Sequence, residues 1–298
     1  MSELVGVNGR ITSPTEAVVS PLDRGFLYGD SVYETLRTYG GRPFRAAAHL
    51  HRLAASAERL GIEIVRAPLA PAAALEAILA RATDPEWAVR IIVTRGVGPI
   101  GYDPEACGPP TVVAHLRPCP EIPAGWRQEG VDVAIVDVTR NAVAALDPAI
   151  KSSNLLNNVL AWQAARRTGA YEPILLNPEG LLAEGGSSNL FLARGRRLLT
   201  PALAAGLLRG VTREAAIELA RRDGMEIEET DLRPEDLRGA DEAFLTSTLK
   251  GILPIRRCDG WPIREGRPGP LTRRMMALYE ALVQEETKAG STPGSSLR

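Results

Sequence analysis

Residues that staple or metallate a fold are scarce in this chain: only three of its 298 positions are cysteine and three histidine. Cys107, Cys119 and Cys258 are odd in number, far apart and without a CxxC, which argues against a disulfide framework and predicts reduced thiols. His49, His51 and His115 offer no helix-spaced pair with carboxylates, so no structural metal is expected. An excess of charge of either sign is also missing. Lys and Arg total 35 against 36 Asp and Glu, which leaves no electrostatic case for a nucleic-acid or anionic-membrane partner. Met1-Ser2-Glu3-Leu4 lacks the basic-then-apolar start of an export signal, and no apolar run approaches the length that spans a bilayer. The expectation is a soluble cytoplasmic protein acting on small molecules.

The length suits one large or two modest domains, and two are expected. Residues 1–119 read as a small N-terminal α+β domain, 120–126 as the linker, 127–287 as a larger C-terminal domain with a barrel-like core, and 288–298 as a disordered tail. The linker follows from Arg117 to Gly125, which packs three prolines and a glycine into nine positions.

At the N-terminus, Leu4 to Ile11 predicts two short strands joined by Asn8-Gly9, a pair that tolerates the positive φ of a tight hairpin. Asp23 to Tyr39 reads as a loop feeding a strand, reversed by Gly40-Gly41. Alternation sends Tyr33, Thr35 and Arg37 to one face and Val32, Glu34, Leu36 and Thr38 to the other. Tyr33 and Arg37 can grip a carboxylate there, or simply face water. Ala46 to Leu60 is a helix with an apolar stripe at Leu50, Leu53, Ala54, Ala57 and Leu60, closed by Gly61. His49, Arg52 and Ser56 share a flank from which Arg52 can reach a buried anion. Val89 to Arg95 reads as a strand. The following Gly96-Val97-Gly98-Pro99-Ile100-Gly101 matches the glycine spacing of dinucleotide sites, but Pro99 and Tyr102-Asp103-Pro104 forbid the helix such a site needs. Thr111 to Leu116 is another strand.

Ala149 to Asn158 sets a single lysine, Lys151, between an apolar strand, Val131 to Val138, and a helix, Leu155 to Arg167, with apolar spacing at Leu155, Leu156, Val159, Leu160 and Ala164. Partial desolvation would lower such a lysine's pKa towards that of a usable nucleophile; a surface lysine is the alternative. Further on, Ile174 to Leu182 is a hairpin that runs into Ala183-Glu184-Gly185-Gly186-Ser187-Ser188-Asn189, poor core material but good ligand-binding backbone. A helix begins behind Gly210 with Thr212 able to cap, and its free N–H groups suit a phosphate. Thr246-Ser247-Thr248, at the end of the strand from Glu242, is a second donor set. Leu271 to about Glu286 is an amphipathic helix.

Four of these motifs in this order, His49-x-x-Arg52-Leu53, Lys151-Ser152-x-Asn154, Glu184-Gly185 with Asn189-Leu190-Phe191, and Gly210-x-Thr212-Arg213, resemble the class IV enzymes that use pyridoxal 5'-phosphate (PLP). That group includes branched-chain aminotransferases, D-amino acid aminotransferases and aminodeoxychorismate lyases. The resemblance runs from about residue 4 to 285. It implies fold type IV, a two-domain mixed α/β (α+β) chain of the D-amino acid aminotransferase-like kind with the cofactor between the domains, and a homodimer or higher homo-oligomer. It also implies roles. Lys151 is similar to the lysine that binds PLP covalently, and Glu184 to the carboxylate beside the pyridine nitrogen. Arg52, Val211, Thr212 and Thr248 resemble the phosphate cup, with Ser188, Asn189 and Ser247 as further cofactor contacts. Tyr33, Arg37, Arg90 and Arg95, with Tyr28 and Leu249, lie where relatives handle substrate.

The chain departs from the branched-chain enzymes at Thr35, where many have glycine, at Leu155, where they have tyrosine, and at Ser247-Thr248-Leu249, where Gly-Thr-Ala is usual. Leu155, Tyr33 and Val93-Thr94-Arg95-Gly96 look instead like D-amino acid aminotransferases, yet no histidine stands between His51 and His115 to complete their carboxylate trap. Glu34-Thr35 before Leu36-Arg37 resembles some lyases, which eliminate pyruvate. The expected reaction is transfer of an amino group from a branched-chain amino acid to a 2-oxo acid such as 2-oxoglutarate. D-amino acid or (R)-amine transamination and the lyase reaction stay open, as does a non-catalytic binder that has kept the fold.

Overall fold

Two polypeptide excursions out and back decide how the chain partitions. In the computed structural model, which describes residues 3–288, one compact unit gathers the chain up to Pro120, then Ile150–Asn154, then the chain from Val283; the other gathers Glu121–Ala149 and Leu155–Leu282. The lysine segment therefore belongs with the N-terminal residues. The reason is local: Tyr33 N–H donates to Lys151 O and Ser153 N–H to Ser31 O, both at 2.9 Å, and Val32 and Ser152 form an antiparallel bridge. Apart from Lys288, the tail expected from 288 onward lies outside the described residues.

In the first unit, β1 (Leu4–Val7) and β2 (Arg10–Thr12) turn on Asn8 and Gly9 at φ 50° and 89°, the left-handed pair that a tight hairpin requires. The short helix α1 (Arg24–Tyr28), capped by Asp23, leads into β3 (Ser31–Tyr39) and β4 (Arg42–Pro43). Helices α2 (Ala46–Arg59) and α3 (Pro71–Leu79) precede β5 (Trp87–Thr94) and β6 (Val112–Pro118). The strands form one antiparallel sheet in the order β2-β1-β6-β5-β3-β4. Alternation along β3 falls as read: Val32, Glu34, Leu36 and Thr38 are buried, and Tyr33, Thr35 and Arg37 take the other face. The buried face joins Val89, Ile91 and Leu116 to Leu53 and Ala57 of α2 and Ile78 of α3. No helix follows the glycines after β5, so the spacing that mimics a dinucleotide loop lacks its second half.

In the second unit, α4 (Ala124–Glu129), β7 (Val131–Ile135), α5 (Leu156–Arg167), β8 (Glu172–Leu176), β9 (Leu182–Gly185), β10 (Asn189–Arg194) and β11 (Arg197–Pro201) are followed by α6 (Val211–Arg222), β12 (Glu226–Thr230), α7 (Pro234–Arg238), β13 (Glu242–Ser247), β14 (Gly251–Cys258), β15 (Trp261–Pro262) and the part of α8 (Pro270–Thr287) up to Leu282. Nine strands make a mixed sheet along the path β12-β11-β10-β13-β14-β7-β8-β9, with β15 on β14. Near-continuous burial along β8, β9, β10 and β13 marks a sheet covered on both faces. One side packs Val133, Ile174, Leu190, Leu245, Leu253 and Ile255; on the other, Phe191 and Phe244 stack at 4.9 Å.

Two expectations need correction here. The strand read through Val138 ends at Ile135. Helix α5 does not bury the stripe assigned to it: Ala161 and Ala165 are its buried residues, packed on Ala134, Val136 and Leu175, while Leu156, Val159 and Leu160 are exposed. Alanines let the helix axis approach the sheet closely, and the larger side chains are left facing outward.

Candidate active site

Lys151 sits at the end of β3 on backbone that is fixed from several sides. Besides the two bonds to β3, its N–H donates to Ser56 Oγ of α2 at 3.2 Å, and Asn154 Nδ2 donates to Gly29 O at 2.9 Å. Its amine lies over the Tyr33 ring, 4.6 Å from the centroid, and Arg90 lies over the same ring at 3.8 Å. Among the described residues the Lys151 amine has no carboxylate partner. A partly buried amine left unpaired is good material for a covalent bond to an aldehyde.

Beneath that end of the sheet is a buried cluster. Arg52 donates to both oxygens of Glu34, Nε to Oε1 at 2.6 Å and Nη2 to Oε2 at 2.9 Å, and His49 Nδ1 lies 2.8 Å from Oε2. Burial would raise the Glu34 pKa, but the hydrogen bonds from His49 and Arg52 outweigh it and bring the carboxyl down to about 2. Burial also dominates at His49 and lowers its pKa against the pull of Glu34, so a neutral imidazole donates from Nδ1. The buried anion that Arg52 can reach is thus Glu34, a partner the sequence reading placed on the correct face without giving it a role. A carboxylate alternating with Val32 and Leu36 was the available signal.

The other substrate-side candidates divide. Arg95 is committed elsewhere: it pairs with Asp30 and donates to the Leu60 and Gly61 carbonyls, closing the end of α2. Arg37 pairs with Glu86 at 3.0 Å and covers the Tyr39 ring. The Tyr28 hydroxyl accepts the Gly101 N–H at 3.3 Å, and its ring meets that of Tyr102 at 5.4 Å. Arg24, which is buried, donates to the Pro99 and Gly101 carbonyls, so the glycine loop is held by an arginine.

In the second unit, Glu184 at the end of β9 is buried. Arg140 Nε donates to Oε1 at 2.9 Å, and the Leu208 N–H donates to Oε2 at 3.1 Å. Asn189 Nδ2 donates to Leu208 O at 2.8 Å and stands 3.4 Å from Glu184 Oε2. Arg140 was missed in the sequence because nothing periodic surrounds it. Ser188 spends its hydroxyl on Glu172, 2.7 Å away, which Ser187 also contacts and which Lys250 neutralises at 3.1 Å. Ser247 ends β13 opposite Gly251, and Thr248 and Leu249 form the turn to β14.

Thr212 does not cap α6. The cap is Gly210 without a side-chain bond, and the first helical bond runs from Glu214 N–H to Gly210 O at 2.9 Å. The N–H groups of Val211, Thr212 and Arg213 precede it, at the positive end of the helix. A β-carbon at Gly210 would collide with the Asn189 carboxamide, so the backbone there is bare by necessity. An oriented carboxylate and a bare helix start fit the pyridine nitrogen and the phosphate of PLP. Among the described residues no group of three His, Cys, Asp or Glu could hold a metal, and no helix is long and apolar enough to cross a membrane.

Comparison with known proteins agrees. The model of the family "amino-transferase class IV" matches residues 31–258. The chain is 37% identical over 277 residues to a putative branched-chain-amino-acid aminotransferase of Methanocaldococcus jannaschii, covering 92% of this chain and 94% of that one. It is 33% identical over 282 residues to a D-alanine aminotransferase of Bacillus licheniformis, covering 94% and 98%, and 31% identical over 280 residues to an aminodeoxychorismate lyase of Bacillus subtilis, covering 93% and 94%. Among solved structures, the branched-chain amino acid aminotransferase of Escherichia coli superposes with a TM-score of 0.89 at 29% identity, covering 98% of each chain. A second branched-chain amino acid aminotransferase, solved with pyridoxamine 5'-phosphate, superposes with the same TM-score of 0.89 at 28% identity, covering 97% of this chain and 96% of that one.

Proposed function

Since the chain belongs to the class IV aminotransferase family and is a PLP-dependent enzyme of fold type IV, we propose that it transfers the amino group of a branched-chain amino acid to a 2-oxo acid such as 2-oxoglutarate. Lys151 is the residue that binds the cofactor covalently. The observation that carries this reading is the Lys151 amine resting on the Tyr33 ring without a carboxylate partner among the described residues.

Bound PLP supplies an electron sink for the pair left at the substrate Cα when its proton departs. The rest is done by side chains. With PLP bound, the Lys151 amine would hold the cofactor and would serve as the base that takes the proton from the substrate Cα. Glu184, oriented by Arg140 and the Leu208 N–H, holds the proton on the pyridine nitrogen. The N–H groups of Val211 and Thr212, with Thr248 and Arg52, hold the phosphate; Glu34 and His49 orient Arg52 from beneath. Asn189 donates to the Leu208 carbonyl on the approach to that helix, and Ser188 and Ser247 complete the proposed cofactor contacts. Tyr33 and Arg90, with Tyr28, Arg37 and Leu249, meet the substrate. Arg95 is left out of that group because Asp30 and two carbonyls occupy it.

Homodimerisation belongs to the proposal. Each unit leaves large apolar side chains uncovered, Phe26, Ile100 and Tyr102 in the first and Leu156 and Leu160 in the second, which a second copy would bury. The free cysteines suit the reducing cytoplasm in which we place the enzyme.

Lys151→Ala is the test: the expected result is loss of both the visible absorbance of lysine-bound PLP and all turnover, and a variant keeping both refutes the reading. The relatives favour a second substrate reading, a D-amino acid or (R)-amine, and a third, pyruvate elimination from aminodeoxychorismate. Parallel assays with L-leucine, D-alanine, (R)-1-phenylethylamine and aminodeoxychorismate decide among them.

A further inference from the structure

Register places three arginines on the face of the first unit's sheet that also bears Tyr33. Arg37, Ala88 and Arg117 are directly opposite one another across β3, β5 and β6; the next row is Thr35, Arg90 and His115, and the next Tyr33, Ile92 and Val113. Ala88, between Arg37 and Arg117, contributes only a methyl group, so the row has small bulk at its centre. Arg117 is diagonal to Arg90, about 7–8 Å away along such a ladder. Two carboxylates reach this face, and each has a cation already: Glu86 holds Arg37 and Glu3 holds His115. Among the described residues neither Arg90 nor Arg117 has a hydrogen bond or an ion pair. Both are partly buried. Burial first, and then the like charge of Arg117, lowers the pKa of Arg90. Two half-buried guanidinium groups set side by side without an anion form a seat for one, and their forked donors suit a carboxylate.

We propose that Arg117 is a specificity-determining residue that works with Arg90 to seat the second carboxylate of a dicarboxylic 2-oxo acid, and so selects a two-acid acceptor over a one-acid one. The inference rests on the aminotransferase reading with Lys151 as its reacting amine. Lys151 and Arg90 lie over one ring, so a molecule that reacts at the amine extends across Tyr33 towards the two arginines. The distal carboxylate oxygens of an extended five-carbon dicarboxylate reach about 5 Å from the reacting carbon. That is about one strand spacing, the step from the strand of Tyr33 to that of Arg90, with Arg117 on the strand beyond.

The test compares wild type, Arg117→Gln and Arg117→Lys as holoenzymes with 2-oxoglutarate and with pyruvate, and measures glutarate and butyrate binding by calorimetry to loaded and cofactor-stripped protein. For Arg117→Gln, the ratio of kcat/KM for 2-oxoglutarate over that for pyruvate is expected to fall roughly tenfold or more, the scale of one charge-assisted hydrogen bond. Glutarate affinity should fall with it, and Arg117→Lys should recover part of both. An unchanged ratio, or equal losses for both acids and both ligands, overturns the assignment. The visible absorbance is recorded on the same samples: if it persists while selectivity does not move, Arg117 alone is misassigned. A Lys151→Ala protein that keeps the absorbance and turnover overturns the reading beneath it, and this proposal too.

Discussion

Replacing the Glu34 carboxylate by an amide should change how the first unit's stability depends on acid, by an amount the structure fixes. Glu34 is fully buried and its carboxyl is held at about 2, against an ordinary 4.5. At 1.36 kcal/mol per unit this is about 3 kcal/mol of stability carried by the ionised form. A depressed carboxyl contributes fully above its unfolded value and loses that contribution as the pH falls through the folded one. The window is therefore from about pH 5.5 down to about 2. The stability difference between wild type and Glu34→Gln should be largest near neutrality, where one side of a buried ion pair has been removed at a cost of about 3–5 kcal/mol. It should shrink by about 3 kcal/mol across the window. His49 titrates nearby, so both proteins are compared in a His49→Asn background, whose amide keeps a donor at the Nδ1 position and carries no proton equilibrium. Urea unfolding followed by tryptophan fluorescence at several pH values gives the two curves. Parallel curves between pH 5.5 and 2 would refute the argument, because the carboxylate would then gain nothing from Arg52 and its neighbour. Added salt should leave the difference nearly unchanged, since the Glu34 carboxylate is shut off from water and ions.

Other changes test the second unit. Glu184→Gln keeps the shape and the Leu208 contact but removes the charge facing the pyridine nitrogen. Turnover should fall about a hundredfold or more while bound cofactor remains visible, and steady-state kinetics beside absorbance spectra will show whether the two separate. Gly210→Ala should weaken PLP binding about tenfold or more, because the added methyl must displace Asn189, which also bonds Leu208 O and approaches Glu184. Titration of the stripped protein with cofactor measures this, and an unaltered affinity would mean that the bare helix start is not where the phosphate binds.

Patterns with a short period were legible in the sequence. The Asn8-Gly9 hairpin and the two faces of β3 could be read because each depends on neighbours one or two positions away. Pro99 bars a helix for the same reason, a local steric veto. What failed depended on distant partners. Helix α5 has apolar residues on more of its circumference than one sheet can cover, and only the close fit of Ala161 and Ala165 decided which side went in. Thr212 looked like a cap because capping residues and first-turn residues share a composition; the cap of α6 stands two residues earlier, at Gly210. Arg140 carried no local mark at all. Its role exists only because its strand exit passes Glu184, 44 positions further on.

The arginines show why residue type alone could not sort the site. Arg37, Arg52, Arg90 and Arg95 looked equivalent in the sequence as candidates for binding an anion. Folding gives Arg95 to Asp30, Arg52 to Glu34 and Arg37 to Glu86, all through carboxylates within the same unit. Arg95, with Asp30 and two carbonyls already on its guanidinium, offers an incoming carboxylate little, since the new bond must displace one of similar strength. Arg90 differs. It lies on the Tyr33 ring and feels the like charge of Arg117, so an arriving anion removes a repulsion as well as making bonds. For an apolar side chain the reverse holds, because it would desolvate two unpaired charges without compensating either. That asymmetry favours an acidic group at the Arg90 end of the face, which is where 2-oxoglutarate and a branched-chain acid differ.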